Sequence, residues 1–300
     1  MTILLDTNTR VVVQGATGKM GRKITKEMLA EGTTVSCGVT PGKGGQDVNG
    51  LPVFDSVAEA KTHDPKLNTS VIVVPPLLVL DAAYEAIDAG LGLVVIITEN
   101  VPIKDAARIV AYAARKDCRV IGPSSTGVIC PGTGKLGPIG SAKEKDMYSP
   151  GRIGVISKSG GMCAETSRLL TAAGLGQSTV IGIGGDVIAG STFADLLLLF
   201  EQDSETDAVV LFAEIGGAYE EIAAEMIAAK KFTKQVVAFV SGRFAETLGK
   251  GLALGHAGAI VEEGFGTAQE KKKALKAAGV LVADYHHEIP ALVKRALENR

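Results

Sequence analysis

Apolar positions along the 300-residue chain fall into two patterns that take turns, short continuous runs and stretches that repeat every three or four residues. Val11-Val12-Val13 is such a run, the pattern of a strand covered on both faces, and it leads through Gly15 to Gly21 into a helical stretch over Lys19 to Leu29. Strands are predicted again at Thr34 to Val39, Val71 to Val74, Val94 to Ile97 and Arg119 to Ile121. Helices are predicted between them at Leu80 to Ala89 and Lys104 to Arg115. In the latter, Ala106, Ile109, Val110, Ala113 and Ala114 recur at i, i+3, i+4, i+7 and i+8, one apolar face for packing on a sheet. These repeats predict an α/β, doubly wound, Rossmann-like domain over residues 1–123.

The pattern then loosens. Gly122-Pro123-Ser124-Ser125-Thr126-Gly127, Cys130-Pro131-Gly132-Thr133-Gly134 and the polar run Ser141 to Pro150 are rich in residues that break elements, so residues 124–150 are expected to be a linker. The alternation restarts with strands at Ile153 to Ser157, Thr179 to Ile183, Ala208 to Ala213 and Gln235 to Val240. Helices follow at Cys163 to Ala173, Thr192 to Phe200 and Tyr219 to Lys230, which predicts a flavodoxin-like domain over residues 151–300. The charge run Glu270 to Lys273 reads as a solvated helix face. His63, His286 and His287, set among polar or turn-forming neighbours, read as surface residues.

Composition supports two covered parallel sheets: 46% of residues are hydrophobic, only 4% aromatic, and none is Trp, so the core must be Val, Ile, Leu and Ala. A net charge of -2 leaves no basic stripe, which argues against nucleic acid as a partner. Cys37, Cys118, Cys130 and Cys163 have no CxxC or zinc spacing, so no metal site is expected. The start Met1-Thr2-Ile3-Leu4-Leu5-Asp6 is too short and too acidic for a signal peptide. The longest apolar run, Val71 to Leu80, is broken by Pro75 and Pro76. A cytoplasmic chain with no membrane segment is the expectation.

Candidate chemistry sits at the ends of the predicted strands. Gly15-Ala16-Thr17-Gly18-Lys19-Met20-Gly21 joins a strand to a helix, where backbone N–H groups and the positive helix end face an anion and Thr17 adds a hydroxyl. Its spacing is GxxGxxG, not the dinucleotide GxGxxG, and Met20 after Lys19 excludes a Walker loop. The second strand ends in Gly38-Val39-Thr40-Pro41-Gly42-Lys43-Gly44-Gly45, with Lys43 where a NAD site carries an acid. A cation there suits a nucleotide with a phosphate on its ribose, as NADP and coenzyme A both have. Val74-Pro75-Pro76 and Ile97-Thr98-Glu99 close two further strands at the ligand-binding edge.

In the second half, Lys158-Ser159-Gly160-Gly161-Met162 leads a strand into a helix whose first N–H groups have no bulky side chain in the way, a second anion site. Cys163, just beyond, is expected to face the core. Glu214, at a strand's carboxyl edge before Ile215-Gly216-Gly217, is placed to accept a hydrogen bond from a histidine N–H and fix its tautomer. The candidate nucleophile is His256, in Gly255-His256-Ala257-Gly258-Ala259-Ile260, where neighbours are too small to hide the ring and the glycines permit φ > 0. At an ordinary pKa of about 6.5, roughly three quarters of such rings are neutral at pH 7 and nucleophilic toward phosphorus.

With these residues in order, the chain resembles the α subunit of succinyl-CoA synthetase over essentially its whole length. The resemblance is carried by Gln14-Gly15-Ala16-Thr17-Gly18, Gly38 to Gly45, Ile97-Thr98-Glu99, Gly182-Ile183-Gly184-Gly185-Asp186, Glu214-Ile215-Gly216-Gly217 and Gly255 to Ala259. It implies an acid–thiol ligase whose first domain binds CoA through Thr17, Gly18, Lys19, Met20, Lys43, Ile97, Thr98 and Glu99. It implies a phosphohistidine at His256, oriented by Glu214 and stabilised by Ser159, Gly160 and Gly161. It also implies a β subunit with an ATP-grasp domain, in an αβ or α2β2 assembly, which holds ATP or GTP with Mg2+.

Departures from that family bear on the acid. The succinate enzymes read Gly-Thr-Leu-Thr-Tyr-Glu after the serine, whereas this chain has Gly160-Gly161-Met162-Cys163-Ala164-Glu165, a form more similar to ATP-citrate lyase and citryl-CoA synthetase. Gly-Pro-Asn-Cys-Pro-Gly is replaced by Gly122 to Gly127, and the basic Pro-Lys-Gly-Lys-Arg-Met by Leu248 to Leu254. Citrate or another di- or tricarboxylate therefore stands as an alternative to succinate. An NADP-dependent oxidoreductase and a non-catalytic CoA-binding protein are the competing classes.

Overall fold

Val11–Gln14 forms β1 with all four residues buried, and the computed structural model of the chain, which describes residues 3–140, 146–242, 244, 256–259 and 266–298, builds its first sheet outward from it. β1 is flanked by β2 (Val35–Val39) and β5 (Thr69–Ile72), and the strand order is β3-β4-β2-β1-β5-β6-β7. β6 is Leu93–Ile96 and β7 Arg119–Ile121. β3 (Asp47–Val48) and β4 (Leu51–Phe54) form an antiparallel pair at the edge, while every other pairing is parallel. Helices α1 (Lys19–Ala30), α2 (Val57–His63), α3 (Val79–Asp88) and α4 (Ile103–Arg115) are the crossovers.

The second sheet has the order β14-β13-β12-β10-β11-β8-β9. Its parallel part is β10 (Pro150–Ser157), β11 (Gln177–Gly182), β12 (Ala208–Glu214), β13 (Gln235–Ser241) and β14 (Leu281–Ala283). α5 (Gly160–Ala172), α6 (Phe193–Gln202), α7 (Tyr219–Ala228), α8 (Ala268–Ala277) and α9 (Ile289–Glu298) cover it. Both domains are α/β with parallel-dominated sheets, and in each the strand order reverses beside the first strand, between β1 and β5 and between β10 and β12. The crevices at the carboxyl ends of those pairs are where such folds take ligands.

Several elements differ from the sequence reading. Residues 124–150, expected as a linker, contain β8 (Gly127–Cys130) and β9 (Gly134–Leu136), a hairpin that pairs antiparallel to β11. Its glycines mask the strand pattern, because Gly127 and Gly134 both take the left-handed backbone and Gly127 lies so close to Leu136 that a Cβ would fall 1.7 Å from its carbonyl oxygen. The hairpin also docks the two domains. Thr33 Oγ1 donates to the Lys135 carbonyl at 2.7 Å, and the fully buried Lys135 ammonium reaches the Gly140 carbonyl at 2.6 Å and Glu27 at 3.4 Å. One apolar core runs through Val13, Val95 and Ile121 of the first sheet, Val128 and Leu136 of the hairpin, and Ile156 and Ile181 of the second sheet.

β5 starts two residues earlier than expected, because Thr69 and Ser70 are buried with their hydroxyls bonded, Ser70 to Gln14 Oε1 at 2.7 Å. On α4, Ala106, Ile109 and Ala113 are buried, but Ala114 faces solvent and Val110 is half-buried. α5 begins at Gly160 rather than Cys163, so both glycines lie in its first turn. Within Glu270 to Lys273, Lys271 is fully buried and paired with Glu220, the opposite of a solvated position. His286 is half-buried too, its Nε2 2.9 Å from Thr166 Oγ1 and its ring edge-on to Phe212 and Phe239.

Candidate active site

Glu214 is the last residue of β12, so its backbone is fixed by pairing with Ser241 while its side chain stands at the carboxyl edge of the sheet. The chain then turns sharply through Gly216 and Gly217, with φ of 89° and 60°, a course side chains rarely permit. His256 comes to this tip, its Nδ1 2.6 Å from Glu214 Oε2. A carboxylate only accepts, so Nδ1 carries the proton and donates it, which leaves the lone pair on Nε2. The ring is neither hidden nor free: its side chain is 37% exposed, while that of Glu214 is 11% exposed.

A glycine makes room for the ring. A Cβ on Gly185 would fall 2.4 Å from His256 Cγ, and the Gly185 carbonyl accepts the Gly258 N–H at 2.9 Å. The loop carrying Gly185 is tied across the domain boundary by Ser124 Oγ, which donates to Asp186 Oδ1 at 2.9 Å. Gly255 and Ile260, which flank the histidine turn, and Leu248 to Leu254 before it lie outside the described residues.

The His256 pKa is held above the ordinary histidine value, first by the hydrogen bond to Glu214, then by that carboxylate's charge and more weakly by Asp186; burial and the Lys158 ammonium oppose the rise. Protonated histidine is therefore favoured to a higher pH than in a free ring. Glu214→Gln keeps an acceptor but removes the charge, so the ring pKa is expected to fall. An NMR titration of labelled histidine checks the direction.

The start of α5 lies one strand over, where Ser157 pairs with Phe212 and the Lys158 N–H donates to the Phe212 carbonyl. Ser159 is the N-cap and makes no side-chain cap bond; Ser157 Oγ donates to its carbonyl at 2.7 Å and takes its N–H at 3.1 Å. The first-turn N–H groups are uncapped, and a Cβ on Gly161 would have nothing within 4 Å. Beside the turn, Thr126 packs so tightly that a Cβ on Gly160 would meet its Cγ2 at 2.1 Å. Cys163 faces the core as expected, and burial pushes its thiol up to about 12.

In the first domain, Gly15 has φ +88° and donates its N–H to the Val39 carbonyl. A Cβ on Gly21 would lie 2.2 Å from the Gly15 carbonyl oxygen, so helix and turn touch backbone to backbone. Gly18, the uncapped N-cap of α1, and Lys19 and Met20 are exposed; Thr17 is half-buried, its hydroxyl bonded to Thr40 at 3.2 Å. Lys43 is exposed on a loop shaped by Asp55, which accepts the N–H groups of Lys43 and Gly44 at 2.9 and 2.8 Å.

Ile97, Thr98 and Glu99 follow β6. Thr98 Oγ1 donates inward to the Val74 carbonyl at 2.7 Å and Ile97 packs on the core, so of the three only Glu99 is fully exposed. All these residues share the carboxyl edge of the first sheet. Leu77 and Leu78, in the turn after β5, are exposed there too. Sequence reasoning marked that turn without its leucines, and it missed Gly185 as the seat of the ring and Lys158, Glu220 and Lys271 as buried charges.

Comparison with known proteins follows the same division. A family model described as CoA binding domain matches residues 6–100, and one described as CoA-ligase matches residues 156–281. Over 282 residues the chain is 49% identical to the succinate–CoA ligase [ADP-forming] subunit alpha of Methanothermobacter thermautotrophicus, covering 94% of this chain and 92% of the relative. It is 47% identical over 296 residues to subunit alpha 1 of the same enzyme from Archaeoglobus fulgidus, covering 99% of this chain and 98% of the relative. Among solved structures, a point mutant of Methanosaeta concilii ATP citrate lyase in complex with (3S)-citryl-CoA superposes with a TM-score of 0.91 at 26% identity. That match covers 99% of this chain and 51% of the lyase, so the chain spans about half of that protein.

Proposed function

The chain belongs to the succinate–CoA ligase α-subunit family, and on that premise we propose that it forms an acyl-CoA from a carboxylic acid through a phosphohistidine at His256. Family membership makes it a CoA ligase and removes the NADP oxidoreductase from consideration. The observation that carries the phosphohistidine is the 2.6 Å bond from Nδ1 to Glu214, which leaves the Nε2 lone pair of a partly exposed ring at a strand switch point.

In this reading a partner β subunit with an ATP-grasp domain holds ATP or GTP. Nε2 attacks the γ-phosphorus, the N–P bond forms, and the bond to the β–γ bridging oxygen breaks so that NDP leaves with the electron pair. Mg2+ at the partner's site would neutralise phosphate charge. Glu214 keeps the Nδ1 proton and offsets the positive charge that develops on the ring. The uncapped N–H groups of Gly160 and Gly161, with the helix dipole behind them, bind the phosphoryl oxygens, and the Ser159 hydroxyl, which makes no cap bond, adds a donor.

An oxygen of the acid then takes the phosphoryl group, returning the pair to Nε2. The CoA sulfur attacks the acyl carbon, and phosphate leaves as the C–O bond breaks, the thiol proton going to solvent or phosphate. CoA lies on residues 1–123, with Thr17, Gly18, Lys19 and Met20 at its phosphates, Lys43 as counter-charge, and Ile97, Thr98 and Glu99 as the neighbouring wall. Residues 151–300 carry the ligase chemistry.

Succinate is the first candidate acid, on the names of the relatives at 47–49% identity. Citrate is the second, favoured by the lyase superposition and by the bare glycines opening α5. The test is the chain reconstituted with its β partner. γ-Labelled ATP should give an acid-labile, base-stable phosphoprotein on this chain, and a carboxylate panel scored by CoA thioester should yield product with succinate or citrate. Absence of both label and thioester refutes the reading.

A further inference from the structure

Behind the site runs a chain of buried charges that none of these steps uses. Lys271 of α8 is fully buried, and its ammonium donates to Glu220 Oε2 at 2.7 Å, Glu221 Oε2 at 2.8 Å and the Gly217 carbonyl at 2.8 Å, which satisfies all three of its donors. Glu220, fully buried in the first turn of α7, places its other oxygen 2.8 Å from Lys158 Nζ, at an angle that makes this an ion pair rather than a hydrogen bond. Lys158 is only 7% exposed and lies over the rings of Tyr219 and Phe193, 5.5 and 5.9 Å from their centroids. Two cations thus meet two carboxylates, and the network ends on two loops. One is the Gly217 turn, three residues past Glu214; the other is Lys158 itself, one residue before Ser159.

Buried ion pairs are poor stabilisers compared with apolar side chains of the same volume, because each charge must be stripped of water. What such a network supplies is position. One of the loops that it grips follows Glu214, which bonds His256, and the other opens α5 beside the strand that Glu214 ends; the charge of Lys158 opposes the proton-holding effect of Glu214 and Asp186 on the ring, and among the described residues these three charged groups act on it.

We propose that Glu220 is a positioning residue for the phosphoryl carrier: it fixes the Lys158 ammonium at the opening of α5, next to the strand that Glu214 ends, and, through Lys271 and the Gly217 carbonyl, holds the turn that aims Glu214. A cation fixed there before phosphate arrives stabilises the phosphorylated ring without reorganisation. The proposal rests on the phosphohistidine reading.

The experiment uses the chain with its β partner, γ-labelled ATP and rapid quenching, with wild type and His256→Asn run alongside. An unlabelled wild type would overturn that reading and this proposal together. A labelled wild type beside an unlabelled His256→Asn leaves the variants to test the proposal alone. Lys158→Met and Glu220→Gln should phosphorylate about 100-fold more slowly, with the KM for ATP changed by less than about threefold. In Lys158→Met the acid limb of the rate should move to higher pH, since losing the cation lets His256 hold its proton longer; Lys158→Arg, which keeps the charge, should restore the limb. If Glu220→Gln does not fold, Lys158→Met carries the test, because it leaves Lys271 with all its partners and offers a thioether to the two rings. Wild-type rates, a slowed rate with an unmoved limb, or a Lys158→Met that fails to fold beside a normal Lys158→Arg would each overturn the proposal.

Discussion

His256→Asn is expected to remove the labelled phosphoprotein completely and to lower CoA thioester formation by about 10⁴-fold or more, the scale seen when a covalent nucleophile is lost. Asparagine is the informative replacement. Its amide can still donate to Glu214, so the carboxylate is not left unpaired at a position where it is largely buried, and what is removed is the Nε2 lone pair. Binding of CoA should be unchanged by calorimetry, because the residues proposed to hold it, Thr17 to Met20 and Lys43, sit on the other sheet, at the ends of β1 and β2. Label that persists in the variant would place the phosphoryl group on another residue. Unchanged CoA binding with no label and no thioester separates loss of chemistry from loss of fold.

The parts legible in the sequence were those whose meaning is local. Gly15 to Gly21 reads as a ligand turn because a strand, a glycine turn and a helix follow one another within about twenty residues, and the structure keeps that order. Glu214 reads as an orienting acid because it ends a long apolar run, and β12 indeed ends on it. What was illegible depends on residues far apart. Lys271 lies in Lys271-Lys272-Lys273, where nothing distinguishes the fully buried lysine from its neighbours, and its partner Glu220 is 51 residues earlier. His286 looked like a surface residue because its partner Thr166 is 120 residues away. The β8–β9 hairpin was hidden by its own glycines, which break the alternation while permitting the close approach to Leu136 and Thr33. Side chains that meet only when strands pair leave no periodic trace.

The two crevices are also coupled in a way that the linear order conceals. Ser124 reaches Asp186 beside the ring, Ser125 Oγ donates to the Gly182 carbonyl at 2.5 Å, and Gly190 N–H donates to the Gly122 carbonyl at 2.7 Å. The segment leaving β7 thus fixes the loop after β11. In the proposed mechanism an acyl phosphate made at one crevice and a thiol held at the other must meet within about 3.5 Å, and displacements of about 1 Å cost on the order of 100-fold. A stitched boundary, rather than a free linker, suits that requirement.

Gly185→Ala is the sharpest test of how closely the ring must be held. The added methyl carbon would sit 2.4 Å from His256 Cγ and 2.7 Å from Nδ1, whereas ordinary contact begins at 3.4 Å, so ring or loop must give by about 1 Å. Gly185 does not take the left-handed backbone, so alanine brings no dihedral strain of that kind and the sheet beneath has no reason to unfold. The 2.6 Å bond between Nδ1 and Glu214 is what breaks. Two results should then appear together: phosphorylation slowed by about 100-fold, and a ring pKa that falls, because the bond to Glu214 is the largest influence raising it. Gly92→Ala, where a Cβ meets nothing within 4 Å, controls for a general cost of removing glycine. Should Gly185→Ala phosphorylate at the wild-type rate with an unshifted titration, the ring is not confined by this loop, and the geometry of the Glu214 bond is not what sets the rate.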